Sequence, residues 1–137
     1  MEDALVTVPG SVHTPLSAPY WESLAQGSLT FQRCKACHHA WLPARSECPH
    51  CLADDWARET ASGSAKLISW VVYHVAYHPS YEGRLPYNVA VVELIEGPRL
   101  ISNVIGAEDA ETLKIDQPLR LVIQVEGSVS VARFQVA

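Results

Sequence analysis

The sequence predicts a mainly β chain, in which an N-terminal helical segment leads into a metal-binding ribbon and then a five-stranded barrel. Three observations predict it. All four cysteines lie in one 18-residue window, as Cys34-Lys35-Ala36-Cys37 and Cys48-Pro49-His50-Cys51. Ahead of them, Tyr20, Trp21, Leu24 and Ala25 share a face at helical spacing. Beyond them, β-branched and aromatic residues dominate to the end, cut by turn residues into five runs.

Residues 1–18 mix Pro, Ser, Thr, Val and Gly without periodicity and read as an extended arm. Pro19 suits a first helical turn and Gly27 a helix C-cap. Packing against its own domain is the simpler reading of this short aromatic helix, and docking to a partner through Trp21 is the other. Leu29 and Phe31 then alternate with Thr30 and Gln32, which brings the chain into the ribbon as a short strand.

Two C-x-x-C pairs at this separation are the ligand pattern of a structural zinc ribbon. Each pair makes a tight turn with both sulfurs inward, and two facing turns complete a tetrahedral S4 site for one zinc ion. With Cys34, Cys37, Cys48 and Cys51 all bound, no position remains for water or substrate, so the metal holds structure and does no chemistry. Trp41-Leu42-Pro43 reads as an apolar tip between the turns, with Trp41 a candidate partner contact. His38, His39 and His50 lie nearby, but four well-spaced thiols leave them no ligand role.

After Trp56 the predicted strands are 66–76, 87–95, 99–105, 119–125 and 129–136. A short helical piece is expected between the third and fourth, over 106–113. Five strands with a helix in that place is the order of an OB-fold barrel. The expected division is arm and helix 1–30, ribbon 31–57, OB-fold 58–137.

Composition limits the function. Hydrophobic residues at 48% and charged residues at 18% describe a chain that buries a core. The opening residues show no basic-then-apolar secretory pattern, and no run approaches the ~20 apolar residues that span a bilayer. Reduced, metal-bound cysteines and a cytoplasmic location are therefore expected. A net charge of −5 with three lysines disfavours a nucleic-acid grip through phosphates. That class stays as the alternative, a zinc-ribbon and OB-fold module in which Trp70 and Tyr73 stack bases.

Catalytic patterns are missing. There is no G-x-S-x-G and no glycine-rich phosphate loop, and the thiols are committed to metal. The adjacent carboxylates Asp54-Asp55 and Glu108-Asp109 fall in predicted loops or helix starts, where Glu108 and Asp109 suit a helix N-terminus. The chain is not expected to be an enzyme on its own. Its richest unexplained segment is 73–87, where Tyr77, Tyr81, Arg84 and Tyr87 join Tyr73, His74 and His78. Tyrosines and an arginine at a loop tip suit recognition. A loop that merely covers the barrel mouth is the competing reading.

Several motifs together resemble one bacterial and archaeal family. They are Pro19-Tyr20-Trp21, Gly27-x-Leu29, the two cysteine pairs, and Leu42-Pro43-x-Arg45. Downstream they are Gly63, Leu85-Pro86-Tyr87, Val91-Val92-Glu93-Leu94, Glu96-Gly97-Pro98-Arg99 and Arg133-Phe134. The family consists of small proteins with an N-terminal helical segment, a rubredoxin-like zinc ribbon and a C-terminal OB-fold. It was long catalogued as a domain of unknown function associated with acyl-CoA metabolism. The resemblance covers roughly residues 18–137. His38 and His50 depart from it, standing where a glycine commonly adjoins a knuckle cysteine.

The resemblance implies an accessory subunit. Members are similar to partners of thiolase-superfamily enzymes, including acetoacetyl-CoA thiolase with hydroxymethylglutaryl-CoA synthase, benzylsuccinate-pathway thiolases and steroid side-chain aldolases. Others are joined to hot-dog-fold enoyl-CoA hydratases. The small subunit is expected to organise the complex and to help enclose acyl-CoA, while the catalytic groups belong to the large partner.

Overall fold

In the computed structural model, residues 13–107 and 110–137 are described. Most of the expected arm, and the Glu108-Asp109 pair, lie outside them. Thr14 and Ser17 start the helix by exchanging bonds: the Thr14 N–H donates to Ser17 Oγ (2.9 Å) and the Ser17 N–H to Thr14 Oγ1 (3.0 Å). Helix α1 spans Ala18–Ala25 with Pro in its first turn. It stops where Gly27 adopts φ 94°. There the Gly27 N–H donates to the Leu24 carbonyl (3.0 Å) and the Ser28 N–H to that of Ser23 (2.8 Å), a Schellman closure that only glycine makes without strain.

The ribbon sheet consists of β1 (Thr30–Cys34), β2 (Ala40–Trp41) and β3 (Trp56–Thr60), in the order β2-β1-β3. β3 pairs with β1 from Thr30↔Thr60 to Cys34↔Trp56. Gln32 is buried in this layer because both halves of its amide are used. Its Nε2 donates to the Arg45 carbonyl (2.8 Å) and its Oε1 accepts the Arg45 N–H (3.0 Å).

The second sheet has the order β6-β5-β4-β7-β8. Its strands are β4 (Ser64–Tyr73), β5 (Tyr87–Leu94), β6 (Arg99–Ser102), β7 (Pro118–Glu126) and β8 (Val129–Val136). All five expected strands are present. The sheet curls until the chain after β6 meets β8 in a parallel bridge, Val104↔Phe134. Ile105 N–H donates to the Phe134 carbonyl (2.8 Å) and Phe134 N–H to that of Asn103 (3.1 Å). Asn88 pins the junction, its Nδ2 donating to the Val104 carbonyl and its Oδ1 accepting the Val104 N–H, both at 2.8 Å. The helical piece expected between the third and fourth strands includes a short 3-10 turn, Ala110–Thr112.

One core serves helix and barrel together. Leu24 and Leu29 are buried with Leu67, Val92, Leu119 and Phe134, and Tyr20 packs against that cluster. Burial pushes the Tyr20 phenol up to about 12, against the pull of Arg133. Trp21 lies over Val129 and Val131. The own-domain reading of α1 thus describes its apolar face. Among the described residues no helix is long and apolar enough to cross a membrane.

Candidate metal centre and tyrosine loop

The two cysteine pairs form matching turns. In the first, the Ala36 and Cys37 N–H groups donate to Cys34 Sγ at 3.3 and 3.4 Å. In the second, those of His50 and Cys51 donate to Cys48 Sγ at the same distances, 3.3 and 3.4 Å. Each turn closes with the next residue's N–H on the first cysteine's carbonyl, His38 to Cys34 (3.0 Å) and Leu52 to Cys48 (2.8 Å). The sulfurs face each other, Cys34 to Cys51 at 3.5 Å and Cys37 to Cys48 at 3.6 Å. All four lie within 4.8 Å of one another. Metal–sulfur bonds of about 2.3 Å in a tetrahedron require sulfurs about 3.8 Å apart, so the four thiols fit a tetrathiolate ion.

The donated N–H groups favour thiolate at Cys34 and Cys48. At Cys37 and Cys51 the N–H groups of His39 and Ala53 are outweighed by burial and the neighbouring sulfurs, which push the thiols up. Cys34 is held below the ordinary thiol range, chiefly by the Cys37 N–H. At Cys48 burial pushes the thiol up, but the N–H groups of Cys51 and His50, together with the Cys37 and Cys51 side chains, outweigh it, leaving about 7.

Of the two histidines expected where glycine commonly stands, His50 is not left-handed, whereas His38 and Leu52, which end the two turns, both have φ 68°. Left-handed backbone costs a side-chain-bearing residue about 1–2 kcal/mol, and glycine carries no such cost. Both side chains are exposed. Leu52→Gly is therefore expected to stabilise the metal-loaded protein by about 0.5–1 kcal/mol after the added unfolded-state freedom is deducted. The urea midpoint measures this, and a lower midpoint would mean that the Leu52 side chain carries contacts that outweigh the strain.

Trp41 is corrected by the structure. Expected at an apolar tip, it is 3% exposed. The short strand β2 pairs Trp41 with Gln32 of β1, which packs the indole beside Cys34 and Cys48. The Trp56 ring meets it edge-on at 6.4 Å.

The segment 73–87 gathers as its composition suggests. A 3-10 helix, Pro79–Arg84, folds it back. The Tyr73 ring lies 5.9 Å from that of Tyr77 and 5.2 Å from that of Tyr87, and Tyr81 meets Tyr87 edge-on at 4.6 Å. Tyr77 is 80% exposed. The Arg84 guanidinium sits 4.9 Å over the Tyr81 ring. From there a latch invisible to local sequence reading runs to the barrel. Arg84 Nη1 donates to Glu126 Oε1 at 3.0 Å, and Arg133 Nη2 to Glu126 Oε2 at 2.9 Å. Between loop and barrel lies a groove of about 620 Å³, lined by Tyr81, Arg84, Tyr87, Asn88, Gln124 and Arg133 among others.

Burial works to raise the Glu126 carboxyl, and Arg133 with Arg84 overcomes it, so its pKa falls. A depressed carboxylate contributes stability that is full above its unfolded value, about 4.3, and disappears as pH falls through the folded value. Glu126→Gln should therefore be less stable than wild type at neutral pH, with the gap closing below about pH 4. Urea midpoints of both proteins across pH 2.5–7 check this, and a gap independent of pH would contradict it.

Comparison with known proteins follows the same two-part layout. The family model described as "ChsH2, rubredoxin-like zinc ribbon domain" matches residues 21–57, and "ChsH2, C-terminal OB-fold domain" matches residues 58–124. A "Probable enoyl-CoA hydratase alpha subunit" of Thermomonospora curvata is 38% identical over 105 residues, 77% of this chain. The match spans only 32% of that subunit. A "DUF35 domain-containing scaffold protein" of Methanothermobacter thermautotrophicus is 28% identical over 83% of this chain and 88% of its own length. In a solved structure described as "Ltp2-ChsH2(DUF35) aldolase", one chain is 32% identical, with a TM-score of 0.80, over 92% of this chain and 98% of that one. With both domain models matched in succession over residues 21–124 and this structural likeness over nearly the whole chain, this chain belongs to the ChsH2 family of zinc-ribbon and OB-fold proteins, the DUF35 family.

Proposed function

We propose that this chain is a non-catalytic accessory subunit of an acyl-CoA-processing enzyme of thiolase or aldolase type, which it docks to and helps organise. The likeness to a chain of an Ltp2-ChsH2(DUF35) aldolase, over nearly the full length of both, carries this reading. The archaeal relatives' name, scaffold protein, supports the accessory role. The hydratase-subunit relative supports acyl-CoA chemistry as the class of the partner.

In this reading one zinc ion is bound by Cys34, Cys37, Cys48 and Cys51, and its role is structural because protein sulfur fills every position. A reducing, cytoplasmic location belongs to the same reading, since the thiols serve a metal only while reduced. Tyr77, Tyr81, Arg84 and Tyr87 border the path of the acyl-CoA, where the loop lends aromatic walls and one exposed cation. Trp21 and Trp41 contribute through the packing they support.

The test is acyl-CoA turnover by the enzyme that copurifies with the chain. Adding wild-type protein should raise kcat/KM, and the Tyr81→Ala/Arg84→Ala double variant should lose tenfold or more of that gain, about 1.4 kcal/mol. Turnover indifferent to the chain would refute the accessory role. Turnover indifferent only to the double substitution would remove the loop from the acyl-CoA path.

A further inference from the structure

The ladder between β4 and β5 ends at the rung Tyr73↔Tyr87, and beyond it the chain leaves the barrel over residues 74–86. Every side chain described in that segment is exposed or half-buried, and none is buried. The backbone bond that shapes its 3-10 helix is local, from the Tyr81 N–H to the His78 carbonyl at 2.9 Å. A segment with so little buried surface opens more easily than the strands it joins, without the core having to unfold.

Side chains hold the segment down. Tyr77 against Tyr73 and Tyr81 against Tyr87 fasten it to its own flanking strands. Arg84 instead reaches over the groove to Glu126 on β7. The two ends of that ion pair are unlike. Glu126 is 12% exposed and is fixed by Arg133 of β8, itself 12% exposed, whereas Arg84 is 47% exposed. When Arg84 lets go, it enters water and Glu126 keeps its second guanidinium, so no charge is left buried and unpaired. Such a contact opens at low cost, and Arg133 keeps the carboxylate in place for it to re-form.

We propose that residues 74–86 are a lid over the groove, hinged at the Tyr73–Tyr87 rung and latched shut by Arg84 on Glu126. Closed, the lid supplies Tyr81, Arg84 and Pro86 as one wall, facing Asn88, Gln124 and Arg133 of the barrel. Opening lifts Tyr81 off Tyr87 and admits a ligand to the space between. Arg84 therefore controls access to the groove as well as lining it. The lid goes beyond the accessory-subunit reading, since it stands on this chain's own contacts whichever ligand the groove takes.

Hydroxyl-radical footprinting of the full-length chain, read residue by residue by mass spectrometry, tests the lid. Tyr87, beneath Tyr81, is the reporter, and Tyr77, 80% exposed, is the internal reference. Arg84→Gln removes an exposed ion pair and a cation–π contact, so it should raise Tyr87 oxidation relative to Tyr77 about three- to tenfold. Arg84→Lys, which keeps a cation for Glu126, should stay closer to wild type. Wild type in about 1 M sodium chloride should approach Arg84→Gln, because an exposed pair is screened, and Arg84→Gln itself should not respond. The exposure of Arg84 means that the urea midpoint of Arg84→Gln should match wild type. Equal Tyr87 oxidation in wild type and Arg84→Gln would overturn the latch. A rise accompanied by a lower urea midpoint would overturn it too, because Arg84 would then be holding the fold and not a lid.

Discussion

Cys48→Ser should release the metal and unfold the ribbon while leaving the barrel standing. Structural zinc in small ribbons contributes about 10–16 kcal/mol of apparent binding energy at neutral pH, nearly all of it folding energy. Cys48 is fully buried and receives two N–H bonds, so a serine hydroxyl there replaces a soft anionic ligand with a weak neutral one. The second turn would lose its anchor, and Trp41 and Trp56, packed on the buried sulfurs, would become exposed. Leu24 and Leu29 belong to the barrel core and not to the ribbon, so the barrel should survive. The expected record is loss of metal by elemental analysis and a red-shifted tryptophan emission, with most far-ultraviolet dichroism retained. Full metal content in Cys48→Ser would contradict the four-thiol site.

Phe134→Ala should cost about 3–5 kcal/mol, the usual range for truncating a buried phenylalanine. Phe134 is completely buried at the centre of the core, and its backbone bonds both Asn103 and Ile105 across the parallel closure. The truncation therefore leaves a cavity where β8 meets the chain after β6, the barrel's shortest seam. That is a large share of the 5–15 kcal/mol that ordinarily separates folded from unfolded domains. Urea unfolding followed by circular dichroism measures it, and a loss below about 1 kcal/mol would mean that the seam repacks without this ring.

The parts of this structure legible in the sequence are those whose chemistry is local. C-x-x-C pairs announce a turn and a metal together, and long β-branched runs announce strands. Strand β3 was hidden because Trp56-Ala57-Arg58-Glu59-Thr60 alternates no apolar face, and pairing with β1 makes it a strand. Trp41 was misplaced because β2 is two residues long, too short for any periodicity. The outer face of the barrel was hidden by the bulge beyond Leu67. A run as apolar as Leu67–Tyr73 does not say which residues point inward, and one extra residue reverses the answer. The latch from Arg84 to Glu126 joins residues 42 apart, and no local pattern encodes such a contact. The tyrosine cluster was legible as a gathering, because its members lie on one loop and its flanking strands.

A chain that works as a subunit of an acyl-CoA enzyme should leave its host bound to that enzyme. Native mass spectrometry of the tagged protein purified from its own host tests it most directly. The expected result is a stoichiometric complex containing a thiolase-, aldolase- or hydratase-type enzyme and one zinc ion per copy of this chain. Recovery of the chain alone, or bound to nucleic acid, would contradict it.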